Sequence, residues 1–268
     1  MQQQPRNGGE LDGLVALVTG AGAGIGKAIA KRLASEGARV GALDVQPVRA
    51  EATVAEITAA GGAGLPLTAN VAEPDQMKTA IDLLGNTFGH LDLVAANAGI
   101  NGVWAPIDEI EPEEWAKTLD VNLKGTFLTF RYAVPWLKRQ GGAAVVTASV
   151  HGTRIWSAEG ATAYACAKAG QQTFARKMAV ELGRDRIRVN TICPGYIDTQ
   201  IGESTIRRDL EKIKLPVTFQ GRPIPATQGA SHQPEDVAEL ALFLLSGRAS
   251  VISGTEVWID GATSLVVG

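Results

Sequence analysis

Cysteine is nearly absent: Cys166 and Cys193 are the only two in 268 residues. That excludes a disulfide framework and a cysteine-rich metal centre, and makes a reducing, cytoplasmic setting the expectation. Histidine is scarce as well. His90, His151 and His232 share no ligand spacing, so no metal is expected. No apolar run approaches the length that crosses a bilayer, and no membrane association is expected. Lysine and arginine form no block, acids and bases are interspersed, and the formal net charge is −3. Nothing in that pattern would neutralise the phosphates of a nucleic acid. The opening MQQQPRNGGE carries neither the basic nor the apolar region of a signal peptide; it reads as a disordered tail over residues 1–10.

What is present is the composition of an ordinary globular chain, 45% hydrophobic and 20% charged, long enough for one large α/β domain or two small ones. LVALVT (14–19) is continuously apolar, as a parallel strand buried on both faces should be. Helices are expected over about 25–36, 47–60, 74–88, 112–139, 161–184 and 234–246, the fourth broken near Pro135. Between them ARVGALD, GLPLTA, LDLVAA, AAVVTAS, IRVNTI and EVWID read as strands. Strict alternation of β and α predicts a doubly wound parallel sheet with right-handed crossovers. No repeat and no linker divides the chain, so residues 11–268 are expected to form one domain. The exception to the alternation is 195–232, rich in Pro, Gly, Thr and Gln. A segment of that length is a substrate lid or a flexible insertion. What flanks it favours the lid, with a short helix over 203–214.

The first strand runs into Thr19-Gly20-Ala21-Gly22-Ala23-Gly24-Ile25-Gly26, where a helix opens. Glycines at such a junction permit a tight turn and the close approach of a ligand, while the helix N-terminus offers free N–H groups to an anion. The spacing, TGxxxGxG, differs from the commoner GxGxxG. Asp44 ends the second strand, 18 residues beyond Gly26. A carboxylate there accepts hydrogen bonds from the ribose hydroxyls of an adenine dinucleotide and repels a 2′-phosphate. Ala23, Val45 and Gln46 offer that phosphate no cation, so NAD is expected over NADP. An Asp that merely caps the following helix is the plainer alternative.

The segment AYACAKAG (163–170) puts Tyr164 and Lys168 one turn apart on one helix face, with small residues between them. A solvated helix face would show the same pair. Taken in order, however, TGAGAGIG, Asp44, ANAG (96–99), VNLKG (121–125), TASVHG (147–152), YACAK (164–168) and ICPGYIDT (192–199) resemble the short-chain dehydrogenase/reductase family. The similarity runs from about residue 11 to 262, and ISGTEVWIDGA also looks like the family's last strand. The resemblance implies a Rossmann fold and a catalytic tetrad of Asn122, Ser149, Tyr164 and Lys168. It implies cofactor contacts from Gly20, Gly24, Ile25, Gly26, Asp44, Asn97, Pro194, Gly195, Ile197 and Thr199 as well as from Tyr164 and Lys168. A homotetramer is implied too, because the family commonly assembles through the helices corresponding to 112–139 and 161–184. Phe127, Phe130, Trp136, Phe174 and Met178 supply apolar surface there. Two features depart from the family. Asn70-Val71 stands where Asp-Val is usual, although Asn keeps donors and an acceptor for the adenine edge. The interval from Ser149 to Tyr164 is two residues longer than usual, an insertion in loop 150–163 that bears on the pocket.

Hydride transfer between a nicotinamide and a carbinol carbon needs a group that exchanges a proton with the substrate oxygen. A phenol with a pKa near ~10 must fall by about three pH units, or ~4 kcal/mol, to act as a base at neutrality. Lys168 as a cation about 5 Å away supplies roughly 3 kcal/mol at an effective dielectric of ~20, and the oxidised nicotinamide supplies the rest. Tyr164 is thus the expected acid/base and Lys168 its electrostatic partner. Ser149 is expected to hydrogen-bond the substrate oxygen. The resemblance implies that Asn122 holds a helix distortion and a water that relays protons to Lys168. Trp104, His151, Trp156 and Tyr196 are candidate substrate contacts, a mixture that suits a polyol or sugar and equally a cyclic or aryl alcohol. The expected function is an NAD-dependent dehydrogenase of a secondary alcohol, or a reductase of a cyclic or aryl ketone. A non-catalytic nucleotide-binding scaffold is the alternative of another class. A sugar-nucleotide epimerase or dehydratase ranks last, since only about 75 residues follow the sixth strand.

Overall fold

The computed structural model describes residues 9–216 and 232–266. Among them, nine strands form two parallel sheets: β1 (Val15–Thr19), β2 (Arg39–Asp44), β3 (Ala63–Thr68), β4 (Leu93–Ala96), β5 (Gly102–Trp104), β6 (Gly142–Thr147), β7 (Ile187–Pro194), β8 (Thr205–Arg207) and β9 (Glu256–Ile259). The large sheet has the order β3-β2-β1-β4-β6-β7-β9, and β5 pairs with β8 in a small one. Side chains of β1 alternate between two cores. Ala16 and Val18 face a layer that holds α1 (Gly24–Ser35), α2 (Pro47–Ala59) and α7 (Pro234–Leu245). Val15 and Leu17 face α3 (Pro74–Phe88), α5 (Gly125–Leu137) and α6 (Thr162–Glu181). Both faces of the sheet are therefore covered, which is why its central strands read as unbroken apolar runs.

The chain winds outward from β1 to β3, then crosses back to place β4 on the other side of β1. Such a reversal opens a crevice at the carboxyl ends of the strands. Here the two sides of the crevice are stitched together: the amides of Asn97 and Ala98, just past β4, both donate to Thr19 Oγ1 at 3.0 and 3.1 Å.

Two local expectations need correction. The helical region over 112–139 breaks near residue 120, not at Pro135. It divides into α4 (Pro112–Leu119), a single π-turn (Asp120–Lys124) and α5, which contains Pro135. The proline is exposed and sits near the end of α5, where it forfeits a single helical donor, the one that would serve the exposed Arg131. Residues 203–214 form no α-helix. A 3₁₀ turn (Gln200–Ser204), strand β8 and a second 3₁₀ turn (Leu210–Lys212) stand there, with Asp209 at a left-handed φ of 50° between the last two. The β-branched Thr205 and Ile206 find a strand partner in β5, which overrides helix propensity.

The expected tail lies outside the described residues as far as residue 8; Glu10 is held by an ion pair with Arg248 at 3.0 Å. Of the expected lid, 217–231 lies outside them as well. Phe130 and Trp136 are buried within the chain, while Phe127 is 45% exposed. Among the described residues, no helix is long and apolar enough to cross a membrane.

Candidate active site

The glycine loop between β1 and α1 is an interlock. A Cβ on Gly26 would lie 2.1 Å from the carbonyl oxygen of Gly20 and 2.6 Å from Asn97 Nδ2. One on Gly20, whose φ is +67°, would lie 2.9 Å from Ala98 Cα. These glycines let the loop fold onto the end of β4 and leave the start of α1 open. The helix has no side-chain cap and no acidic residue in its first turn, so its N–H groups are available to an anion. A cleft of about 620 Å³ runs along this end of the sheet. It is lined by Gly20, Gly24, Ile25, Asp44, Asn70, Val71, Asn97, Pro194, Gly195, Ile197 and Thr199 together with Ser149, Tyr164 and Lys168. Gly26 stands behind the cradle, in contact with Gly20 and Asn97.

At one end of the cleft, Asp44 closes β2. Its carboxylate accepts from Gly22 N at 3.0 Å and from Gln46 N at 2.9 Å, which fixes it facing the loop. Arg49 stands beside it, with its guanidinium 3.9 Å from Glu203 of the segment beyond β7. The sequence gives no advance notice of Arg49, since it lies in the first turn of α2 and outside any motif. Asn70 turns its side chain to the following backbone, with Oδ1 accepting from Ala72 N at 3.0 Å.

At the other end the side chains of Asn122, Ser149, Tyr164 and Lys168 come together from three elements. Ser149 follows β6 and caps a 3₁₀ turn (Val150–Gly152), its Oγ accepting from His151 N at 3.2 Å. Tyr164, in the first turn of α6, is buried and hydrogen-bonded to Ser149. Lys168 Nζ lies 5.5 Å from the centre of the Tyr164 ring and donates to Thr147 O at 2.8 Å. Asn122 occupies the π-turn, fully buried. Its Oδ1 accepts from Ile100 N at 3.2 Å, and its Nδ2 donates to Ile100 O and Thr118 O at 2.9 and 2.8 Å.

A family model described as enoyl-(acyl carrier protein) reductase matches residues 20–263, which contain the loop, the cleft and all four residues. The chain belongs to the short-chain dehydrogenase/reductase family. It is 39% identical over 249 residues to a cyclohexanol dehydrogenase of Acinetobacter sp., covering 92% of this chain and 94% of that one. It is 33% identical over 258 residues to a D-threitol dehydrogenase of Mycolicibacterium smegmatis, covering 95% and 94%. The crystal structure of a 3-ketoacyl-ACP reductase from Sinorhizobium meliloti superposes with a TM-score of 0.90 at 48% identity, over 94% of this chain and 99% of that one.

This short-chain dehydrogenase/reductase departs from expectation in its charges. Lys168 stands 5.5 Å from the centre of the Tyr164 ring, but the lysine does not draw the phenol toward neutrality. Burial dominates both groups. It pushes Tyr164 up to about 12, against the opposing hydrogen bond from Ser149. It pulls Lys168 down to about 7. An amine that burial has half neutralised has little field left to act on its neighbour. In the protein alone Tyr164 is thus a proton donor at neutral pH, and Lys168 is poised to gain or lose one.

The family binds a nicotinamide cofactor, and this chain's residues fit one. A Cβ at Gly20, Gly22 or Gly26 would clash, the α1 amides are uncapped, and Thr147 Oγ1, at the cleft, is buried without a hydrogen-bond partner among the described residues.

On the substrate side, Trp104 of β5 and His151 stand with ring centres 6.3 Å apart, and His151 stands edge-on to Tyr164 at 6.0 Å. Trp156 and Tyr196 are 68% and 48% exposed and are not in that ring cluster. The segment beyond β7 lies over this wall. Asn101 N donates to Ser204 Oγ and Asn101 Nδ2 to Thr205 Oγ1, at 3.0 and 2.8 Å. Arg208 grips Glu114 of α4 with two bonds, at 3.1 and 2.7 Å, and also donates to Glu109 O. No motif announced this clasp, which depends on pairings across about 100 residues.

Proposed function

We propose that this protein is an NAD-dependent oxidoreductase that interconverts a compact secondary alcohol and its ketone. The observation that carries the reading is the buried Tyr164, hydrogen-bonded to Ser149 and 5.5 Å from the Lys168 amine, on the cleft that also holds Asp44. Three strand spacings, roughly 14 Å, separate β2 from β6, room for a dinucleotide lying across the strand ends. Gly20, Gly24, Ile25 and Gly26 would hold its phosphates, Asp44 its adenosine ribose, and Asn97, Pro194, Gly195, Ile197 and Thr199 its nicotinamide half, with Asn70 and Val71 beside the adenine. The fixed negative charge of Asp44 supports NAD over NADP, and the Arg49 charge beside it is directed at Glu203.

When bound, the nicotinamide accepts or supplies the hydride. Ser149 Oγ and the Tyr164 hydroxyl together hold the substrate oxygen. Tyr164 donates its proton to that oxygen in reduction. In oxidation it must first give the proton up, so that the phenolate can take the proton of the substrate hydroxyl. Asn122 fixes Ile100 and with it the floor of the cleft beside Lys168.

The aromatic wall of Trp104 and His151, roofed by the clasp over 200–213, supports a cyclic alcohol or a small polyol, in keeping with the names of two relatives. In this reading 195–232 is the substrate lid and the protein is a homotetramer with Phe127 at a contact; light scattering on the eluted protein checks the latter. The test of function is turnover with NAD⁺ and NADP⁺ across cyclohexanol, four-carbon polyols and, in the reverse direction, a 3-oxoacyl thioester. Turnover of the first two that Tyr164→Phe abolishes, with NADH binding retained, is the expected result. Turnover of the thioester alone would overturn the substrate class. Nucleotide binding without any turnover would favour a scaffold.

A further inference from the structure

Tyr164 and Lys168 are followed on the same face of α6 by Gln171 and Gln172, at the i, i+4, i+7, i+8 spacing of one helical stripe. Both glutamines are fully buried. Gln171 Nε2 donates to the main-chain carbonyl of Asn122 at 2.9 Å and to Thr126 Oγ1 at 2.7 Å, and Thr126 Oγ1 itself donates to Asn122 O at 2.8 Å. Gln172 Nε2 donates to the main-chain carbonyl of Ser149 at 3.0 Å. Consecutive side chains of the helix that carries two members of the site thus hold the backbone of the other two.

These amides are costly places to put polarity. Gln171 Oε1 and Gln172 Oε1 are both buried with no hydrogen-bond partner among the described residues. A leucine at either position would avoid an unsatisfied buried acceptor, and a sequence selected for packing alone has no reason to prefer glutamine. The surroundings are shaped to the amides. A Cβ on Gly152 would lie 2.6 Å from Gln172 Nε2 and 2.9 Å from Ala169 N, so the turn after Ser149 rests directly on α6. A Cβ on Gly170 would lie 2.9 Å from Leu123, so the π-turn does the same one residue before Gln171. A π-turn interrupts the ordinary i to i−4 ladder, and here the Asn122 carbonyl takes donors from two side chains, Thr126 and Gln171.

We propose that Gln171 and Gln172 are positioning residues that fix Asn122 and Ser149 relative to Tyr164 and Lys168. Gln171 acts through the π-turn: by holding Asn122 O it sets the Asn122 side chain on Ile100. Gln172 acts through Ser149 O, setting the hydroxyl that Tyr164 contacts. The catalytic consequence rests on the proposed function, but the geometry does not.

The test therefore has two parts. Amide hydrogen exchange is measured on the protein without nucleotide or substrate, for wild type, Gln171→Met and Gln172→Met; methionine keeps the length and removes the donor. Exchange should quicken at Ile100, whose N–H is given to Asn122, in the first variant, and at His151, whose N–H is given to Ser149, in the second. Kinetics follow. For Gln172→Met, kcat should fall about tenfold with KM and NADH affinity changed less than about twofold, and the loss should vanish in a Ser149→Ala background. Gln171→Met should behave in the same way against Asn122→Ala. Leucine variants replace any methionine variant that melts early. Unchanged exchange at both amides overturns the proposal, as does a kcat loss that persists in full in the Ala backgrounds. If Tyr164→Phe keeps full activity, the functional reading fails instead, and the exchange result still decides this one.

Discussion

Replacing Lys168 with methionine tests the balance of burial and charge at the centre of the site. Burial takes the Lys168 ammonium from its ordinary 10.5 down to about 7. In the unfolded chain the amine returns to its ordinary value. Between those limits the unfolded chain holds a proton that the folded chain does not, so the stability owed to Lys168 rises with pH across the window. Below pH 7 both states hold the proton and the contribution is constant. At about 1.36 kcal/mol per pH unit the whole window is worth about 5 kcal/mol, and the stretch from pH 7 to 9.5 about 3 kcal/mol. Tyr164 has the opposite sign: raised from 10.0 to about 12, it favours the folded state below pH 10 and loses that contribution above it. Kept below pH 9.5, the comparison leaves Tyr164 protonated in both states. The assay is urea unfolding of nucleotide-free wild type and Lys168→Met at intervals from pH 6 to 9.5. Other titrating groups cancel in the difference. The advantage of wild type over variant should be flat to pH 7 and then grow by about 3 kcal/mol. A flat difference throughout would refute the reasoning, since it would mean that the lysine keeps its charge when buried.

Three further outcomes are expected. Gly26→Ala forces a methyl into the space between Gly20 O and Asn97 Nδ2; it should destabilise the protein by about 1–3 kcal/mol and abolish NADH binding in a fluorescence titration, and normal affinity would mean the interlock can relax. Asp44→Asn keeps an acceptor for Gly22 or Gln46 and removes the charge, so the ratio of kcat/KM for NAD⁺ over NADP⁺ should fall about tenfold, or about 1.4 kcal/mol; an unchanged ratio would move the selectivity to other residues. Arg208→Ala opens the grip on Glu114. KM for the alcohol should rise severalfold while Tm barely moves, because the pair is near the surface; a normal KM would separate the clasp from the pocket.

The layers of the fold were legible because burial on both sides leaves so plain a trace: β1, β4 and β6 are built almost wholly of Val, Leu and Ala, and the cradle repeats glycine at positions where a Cβ would collide. Tyr164, Lys168, Ser149 and Asn122 stand in short ordered segments, and the fold brings these together. What escaped was decided by long-range pairing. Strands β5 and β8 have three residues each, too few to display a period, and each exists because the other does. The helix break was expected at Pro135 on local grounds, but an exposed proline near a helix end costs little, while Asn122 and its partners Ile100 and Gln171 hold the real break at the π-turn. The charge state of Tyr164 and Lys168 also eluded the spacing, because it depends on how completely the surroundings exclude water.

The bridge between Ile197 and His232, with Asp198 N donating to His232 O at 2.9 Å, has a meaning for how this enzyme family diversifies. The chain departs from the end of β7 and comes back to the same spot before α7 begins. An excursion whose two ends touch behaves as a cassette: its length and composition can change without altering the distance the scaffold must span, and each doubling of its length adds only about 0.6 kcal/mol of closure cost. Exchanging residues 200–231 for the equivalent stretch of a relative, with Thr199 kept, should therefore transplant preference for one alcohol over another while the nucleotide half, built on β1 to β4, goes on working.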